Sequence, residues 1–100
     1  METIILKLVS GEEVIGQIQG QYDLSLESFQ VKSPRVLTMQ QMPDGRVGAS
    51  FMPLLLLIGN NDSVTIHKKN VIAYSSSINS EYEKRYMEAI TGLTLASAIK

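Results

Sequence analysis

His67, Lys68 and Lys69 are the residues of this chain best suited to contact a polyanion. They fall between two short apolar segments, which places them in a connection between strands. A single triplet of this kind is more often a solvated turn. Several copies around a symmetry axis would instead focus a positive potential, which Lys32 and Arg35 could extend.

Tyr22 is a candidate for stacking on an exposed base, because aromatic side chains bind the faces of unpaired bases. A ring that caps the edge of a β-barrel is the commoner role for such a residue. We expect the neighbouring Asp23 to accept hydrogen bonds from backbone amides and so hold its own turn.

Enzymatic chemistry has little support. Glu12, Glu13 and Asp44 fall on predicted turns, with no second acid or histidine that the sequence brings toward them. His67 has no identifiable serine and carboxylate companions. The chain has no cysteine and one histidine, which disfavours thiolate chemistry and a histidine metal site. We expect no catalysis, no cofactor and no small-molecule substrate.

Composition indicates one small domain. The 100 residues include 9 basic and 10 acidic side chains, for a formal net charge of −1. Global charge therefore does not favour nucleic-acid or membrane binding. The amino terminus has no basic leader before an apolar segment, and the longest apolar run, residues 54–58, is too short to span a bilayer. We expect a cytoplasmic protein with no membrane partner.

The elements that must position these residues are mostly strands. Residues 3–9 and the stretch that follows Ser10-Gly11 predict two strands, and the second carries Gly16 and Gly20 on its apolar face. Glycines at such positions indicate a strand that bends sharply over a small core.

Further strands follow at short intervals. Residues 29–42 are extended with an interruption at Ser33-Pro34, and residues 42–45 form a turn. Residues 47–58, 64–67 and 71–75 predict the remaining strands. Five or six strands with tight connections favour a small antiparallel barrel over residues 1–78.

Residues 79–100 differ from the rest and predict a helical tail. Ser80 and Glu83 have the spacing of a capping box, and we expect a helix from about Ser80 to Gly92. Tyr82, Tyr86, Ile90 and Leu93 share one helical face, and Glu81 can pair with Arg85. We expect this helix to dock loosely on the barrel or on a neighbouring subunit.

The leucine run favours self-association. Residues 54–58 put leucines on both faces of one predicted strand, more than a solvated sheet face would carry. Such a strand at an open edge would aggregate unless assembly covered it. The alternative is a strand buried at the centre of a monomer. The expected interface comprises Leu54, Leu55, Leu56, Leu57, Val71 and Ile72.

Two segments resemble a known family. The first reads Leu8-x-Ser10-Gly11-x-x-Val14-x-Gly16-Gln17-Ile18 with Tyr22-Asp23 after it, and the second reads Ile66-His67-Lys68-Lys69-Asn70-Val71. They resemble the two motifs of the Sm-like proteins, and the first is most similar to the form of this motif in the bacterial RNA chaperone Hfq. The segment Phe51-Met52-Pro53-Leu54 and the tyrosine-bearing tail are similar to short Sm-like proteins of tailed phages that infect marine cyanobacteria.

This resemblance implies a mainly β fold, a strongly bent five-stranded antiparallel barrel, here followed by a C-terminal helix. It also implies a closed ring of about five to seven subunits with RNA at the pore. For a phage protein the compartment would be the host-cell cytoplasm. The family turns the loop of the second motif toward the pore, which here holds His67, Lys68, Lys69 and Asn70.

The chain departs from the family at the base pocket. The three pocket positions that archaeal and eukaryotic relatives use read Ser25, Glu27 and His67 here. Ser25 offers no stacking face, and the carboxylate of Glu27 would repel phosphate. The spacing from Gly16 to Asp23 is also one residue longer than usual. The resemblance therefore implies the family's architecture with much of its base pocket missing.

Two hypotheses follow. In the first, a homo-oligomeric ring binds single-stranded RNA weakly through its basic pore loops, with Tyr22 and Ser25 as further contacts, in an RNA-chaperone or RNA-regulatory role. In the second, the ring is a scaffold that has lost RNA binding and recruits a protein partner, for example through Tyr82 and Tyr86. A fold alone does not decide between them.

Overall fold

The protein is mainly β, with a C-terminal helix. The computed structural model describes residues 1–20, 22–23, 25–55, 59 and 62–91. Its strands are β1 (Glu2–Leu8), β2 (Glu13–Ile18), β3 (Ser28–Gln41), β4 (Val47–Pro53), β5 (Ser63–His67) and β6 (Val71–Ser75). Lys68–Asn70 form a short 3-10 turn, and Ser80–Thr91 form helix α1.

The strands form one antiparallel sheet in the order β4-β3-β2-β1-β6. Strand β3 is long enough to take two partners along one edge. Its first half pairs with β5, from Ser28 opposite His67 to Lys32 opposite Ser63, and its second half pairs with β4. Among the described residues this makes six strands rather than five, and the sheet is open rather than closed into a barrel. The expected antiparallel β fold with a C-terminal helix is confirmed.

A bend in β3 separates its two halves. Ser33 has a φ of 52°, a left-handed conformation that is uncommon outside glycine. Ser33 is fully buried, and its amide donates a hydrogen bond of 2.9 Å to the carbonyl of Asp62. The predicted interruption at Ser33-Pro34 is thus confirmed.

Gly16 lies where β2 crosses the start of β3. A Cβ at this position would collide with the side chain of Val31, so only glycine allows the two strands to approach this closely. The prediction for Gly20 is wrong. Strand β2 ends at Ile18, and Gly20 follows it with a φ of 71°.

Both faces of the sheet are covered. One face holds the inner core, composed of Ile4, Leu6, Val14, Ile18, Val31 and Ile66. The other face packs under α1 in a helix core of Ile15, Tyr86 and Ile90, with Ile5, Phe51 and Ile78 around it. Adjacent residues of β1 and β2 therefore serve different cores, since side chains alternate along a strand.

Helix α1 is firmly docked, contrary to the prediction of loose contact. Tyr86 is fully buried, and its hydroxyl donates a hydrogen bond of 2.8 Å to the carbonyl of Ser33. The N-cap is Asn79 rather than Ser80, since the Oδ1 of Asn79 accepts the Glu81 amide at 2.9 Å. The expected pair of Glu81 with Arg85 is present at 3.0 Å. Gly92 and Leu93 lie outside the described residues.

The turn at residues 42–45 is confirmed, whereas the strand after it is shorter than predicted. Gly45 has a φ of 89°, and its amide donates to the carbonyl of Met42 at 2.9 Å. Strand β4 then ends at Pro53, so Leu54 and Leu55 follow the strand instead of continuing it. No helix in the described part of the chain is long and apolar enough to cross a bilayer.

Candidate nucleic-acid interface

The predicted basic residues lie at one corner of the sheet. His67 ends β5, and Lys68–Asn70 form the basic turn, our name for this 3-10 segment. The amide of Lys68 donates a hydrogen bond of 2.8 Å to the carbonyl of Glu27, and the carbonyl of Asn70 accepts the amide of Val9 at 2.8 Å. The basic turn is therefore held between the β2–β3 connection and the β1–β2 hairpin. The side chains of His67, Lys69 and Asn70 are exposed.

Asp23 organises the β2–β3 connection, as expected. Its Oδ1 accepts hydrogen bonds from the amide of Ser25 at 2.9 Å and from the Ser25 hydroxyl at 2.6 Å. These bonds lower the pKa of Asp23, and the nearby charge of Lys68 lowers it further. Asp23 therefore stays ionised beside Lys68, and the hydroxyl of Ser25 is engaged within the connection.

Charge at this corner is close to balanced. The backbone contact between Lys68 and Glu27 places the β2–β3 connection, with its acidic residues Asp23 and Glu27, against the basic turn. Two acidic residues thus accompany Lys68 and Lys69, so each copy of the corner attracts phosphate only weakly.

Contrary to the prediction, Arg35 and Lys32 do not extend the basic surface. Arg35 is only 4% exposed, and its Nη1 donates to the carbonyl of Pro34 at 3.1 Å. Lys32 pairs with Ser63 at the opposite end of β5 from His67. The sequence did not reveal that the bend of β3 turns Arg35 inward.

Tyr22 joins an aromatic cluster with Phe29 and Tyr74. Its ring lies edge-on to Phe29 with centroids 4.8 Å apart, and it stacks on Tyr74 at 4.1 Å with an interplanar angle of 24°. Tyr22 and Phe29 also pack against the inner core. Burial raises the pKa of the Tyr22 phenol. Tyr22 therefore caps the edge of the inner core, which is the role that we considered commoner than base stacking.

Tyr74 was missed by sequence reasoning. It lies on β6 opposite Leu6, a residue of the inner core. The alternation of side chains along residues 71–75 could have placed Tyr74 on one face of the strand. The partner strand and the stacking on Tyr22 depend on contacts distant in sequence. Two clefts flank Tyr22, with volumes of about 260 Å³ on the side of Glu2 and Tyr74 and about 220 Å³ on the side of Leu26 and Phe29.

Four of the six predicted interface residues lie in the described part of the chain, and they divide into two groups. Leu54 and Val71 are partly buried against the inner core, so they contribute to the fold of the single chain. Leu55 is 49% exposed, and Ile72, on edge strand β6, is 62% exposed. Leu56 and Leu57 lie outside the described residues.

No group of three or more His, Asp or Glu side chains that could hold a metal occurs in residues 1–20, 22–23, 25–55, 59 and 62–91. A scan of the sequence against models of known protein families finds no match, and no curated protein matches the chain. Function must therefore be inferred from the residues and their geometry.

Proposed function

We propose that the protein is an Sm-like subunit that assembles into a ring of about five to seven copies and binds single-stranded RNA weakly, in an RNA-chaperone or RNA-regulatory role. One observation carries the proposal. The connection that follows the first motif-like segment lies directly against the turn of the second, through the hydrogen bond from Lys68 to Glu27. Two segments that are distant in sequence thus form one corner.

The strand arrangement supports the assignment to this family. Five strands in the order β6-β1-β2-β3-β5 share the inner core, and Gly16 and Ser33 allow the sheet to curve around it. Strand β4 extends the sheet beyond these five by pairing with the second half of β3.

Exposed apolar residues on edge strands support association. Strand β6 pairs with β1 on one side, and its Ile72 and Tyr74 are 62% and 46% exposed. An edge strand with large exposed apolar side chains tends to pair with another chain. Ring closure would use such edges in every subunit.

RNA contact in the proposed ring is electrostatic and weak. Repetition of the basic turn around the ring axis brings many copies of Lys68 and Lys69 together, which strengthens a potential that is nearly balanced in one subunit. Phosphate contacts of this type release counterions, so affinity falls steeply as salt is raised. The proposal includes no catalytic step and no cofactor.

A protein scaffold is the second candidate, and a separate observation favours it. Large apolar side chains are exposed along the hairpin of β3 and β4, namely Met39, Met42, Val47 and Met52. Exposed apolar surface of this kind marks sites of protein contact. The balanced charge at the basic turn agrees with such a role.

Native mass spectrometry of the pure protein, alone and with short U-rich and A-rich RNA, tests the proposal. We expect a ring that binds RNA at low salt and releases it as salt is raised. The variant Lys68→Glu with Lys69→Glu should keep the ring and lose RNA binding.

The matched control is Arg46→Glu with Lys84→Glu, which changes the net charge equally at exposed sites away from the corner. It should bind RNA nearly as well as the parent. A monomer would refute the family assignment, and a ring that binds no RNA at low salt would favour the scaffold. Equal binding by the parent and the Lys68/Lys69 variant would show that the proposed site is wrong.

A further inference from the structure

A cleft of about 220 Å³ lies beside Tyr22. We call it the Tyr22 cleft. Leu26 and Phe29 form an apolar wall next to the ring of Tyr22, and Gln19 and Gln30 contribute polar side chains. Leu26 is 47% exposed although it is large and apolar. An apolar wall with a few polar groups at its edge is typical of a small-molecule site.

Size limits what the Tyr22 cleft can hold. Pockets for drug-sized ligands span roughly 300 to 1,000 Å³, and this cleft is smaller. A nucleobase is therefore the part of a nucleotide that fits it best, with the sugar and phosphate left outside.

Charge also favours an arrangement with the base inside the cleft and the phosphate outside it. Asp23 lines the cleft and stays ionised because Ser25 and Lys68 favour its charged form. A phosphate inside the cleft would be repelled by this carboxylate. Outside the cleft, the basic turn adjoins the β2–β3 connection through the hydrogen bond of 2.8 Å from the Lys68 amide to the Glu27 carbonyl, so its lysines lie on the side where a phosphate would remain.

We propose that the Tyr22 cleft receives one unpaired nucleobase, preferentially adenine, while the basic turn contacts the adjoining phosphate. This inference rests on the proposed RNA function and adds a base-recognition site to it. The site differs from the pocket positions Ser25, Glu27 and His67 discussed above.

The preference for adenine over uracil follows from ring size, because a purine presents a larger face to the apolar wall. The glutamines then bind the edge of the base. A glutamine side chain carries a carbonyl acceptor and an amide donor, which can bind the N6 and N7 atoms of adenine together. Gln19 and Gln30 both have exposed side chains at the cleft, so either can reach the edge of an inserted base. The apolar wall and the Tyr22 side chain supply contact for the faces of the base.

The first arm of the test uses adenosine, which has no phosphate and does not depend on the lysines. Nuclear magnetic resonance of the full chain should show saturable shifts of the side-chain amides of Gln19 and Gln30 and of the rings of Tyr22 and Phe29. Uridine at the same concentration should produce smaller shifts. Absence of shifts with adenosine would overturn the inference.

The second arm compares variants by their affinity for a short oligo(A). Gln30→Ala should weaken binding about fivefold or more, because a bidentate contact to a base is worth roughly 1 to 3 kcal/mol. Gln40→Ala is the matched control, since Gln40 is also an exposed glutamine of the same strand, paired with Gly48 in the distant hairpin. The affinity of this control for oligo(A) should lie within about twofold of that of the parent.

The two arms separate failure of this inference from failure of the proposed function. Adenosine shifts without affinity for RNA would support the cleft and refute the RNA-binding ring. Oligo(A) binding that needs Lys68 and Lys69, yet is unchanged in Gln30→Ala and shows no adenosine shifts, would support the ring and overturn the cleft.

Discussion

Tyr86 and Tyr22 lie on opposite faces of the same sheet and are held in different ways. Tyr86 is fully buried in the helix core, and its hydroxyl donates to the carbonyl of Ser33. Tyr22 is only partly buried at the edge of the inner core, and it lines two clefts. The first tyrosine fixes the helix on the sheet, whereas the second leaves accessible aromatic surface beside the basic turn.

The difference shows how a small domain separates stability from binding. On the helix side, Tyr86 is fully buried and its hydroxyl has a partner, which favours one rigid arrangement of helix and sheet. On the corner side, the aromatic rings support each other while open space remains next to them. Substitutions on the helix side should therefore change the free energy of unfolding, whereas substitutions at the corner should change the affinity for RNA.

The largest effect is expected from Tyr86→Ala. Removal of a fully buried aromatic side chain should lower the free energy of unfolding by about 3 to 5 kcal/mol. Tyr82→Ala is the control, because Tyr82 lies on the same helix and is partly exposed. Urea unfolding followed by circular dichroism measures both. Equal losses in the two variants would contradict the special role assigned to Tyr86.

A smaller effect is expected from Tyr86→Phe, and it depends on pH. The change removes the hydrogen bond that the Tyr86 hydroxyl donates to the carbonyl of Ser33 and should cost about 0.5 to 1.5 kcal/mol at neutral pH. Burial raises the pKa of Tyr86, while the charge of Arg35 opposes part of that rise. The fold thus favours the protonated phenol, so this stabilisation is complete below the unfolded pKa of about 10 and is lost as pH rises above it.

Stability of the parent should therefore fall at alkaline pH, and Tyr86→Phe should reduce that fall. Tyr22→Phe should reduce it less, because Tyr22 is less buried although its pKa is also raised. Urea unfolding at pH 7 and at several values above pH 10 makes the comparison. An alkaline fall as steep in Tyr86→Phe as in the parent would contradict the assignment.

The smallest effect is expected on the corner side, from Asp23→Asn. The change removes a carboxylate close to Lys68, so RNA affinity at low salt should rise about twofold. Asparagine can still accept the hydrogen bonds that hold the turn. Asp44→Asn, at the distant β3–β4 turn, is the matched control and should leave affinity unchanged. Filter binding across a salt series measures both, and weaker binding by Asp23→Asn would show that the carboxylate itself is needed.

Local signals predicted much of the fold. The turn at residues 42–45 depends on the proline and glycine within it, and the interruption of β3 depends on Ser33-Pro34. These features were predictable because neighbouring residues determine them. The same holds for the role of Asp23, whose partner lies two residues away.

Features that depend on distant contacts were missed. Arg35 was expected at the surface, but the bend of β3 buries it near Tyr86, a residue of α1. The firm docking of α1 could not be read from its helical face alone, since that face does not identify what lies beneath it. The balance of charge at the basic turn likewise depends on Glu27, which the fold brings to Lys68.

The long strand β3 also has a consequence for folding kinetics. It is the common partner of β2, β4 and β5, and Phe29 pairs with Ile66 across a large separation in sequence. Chains dominated by such distant pairings fold slowly, in about milliseconds to seconds. The reason is that the chain loses loop-closure entropy before the stabilising contacts form. The β2–β3 connection and the basic turn adjoin where β3 pairs with β5, since Lys68 bonds to Glu27 next to the pair of Ser28 with His67. The proposed RNA-binding corner should therefore be among the last parts of the chain to form.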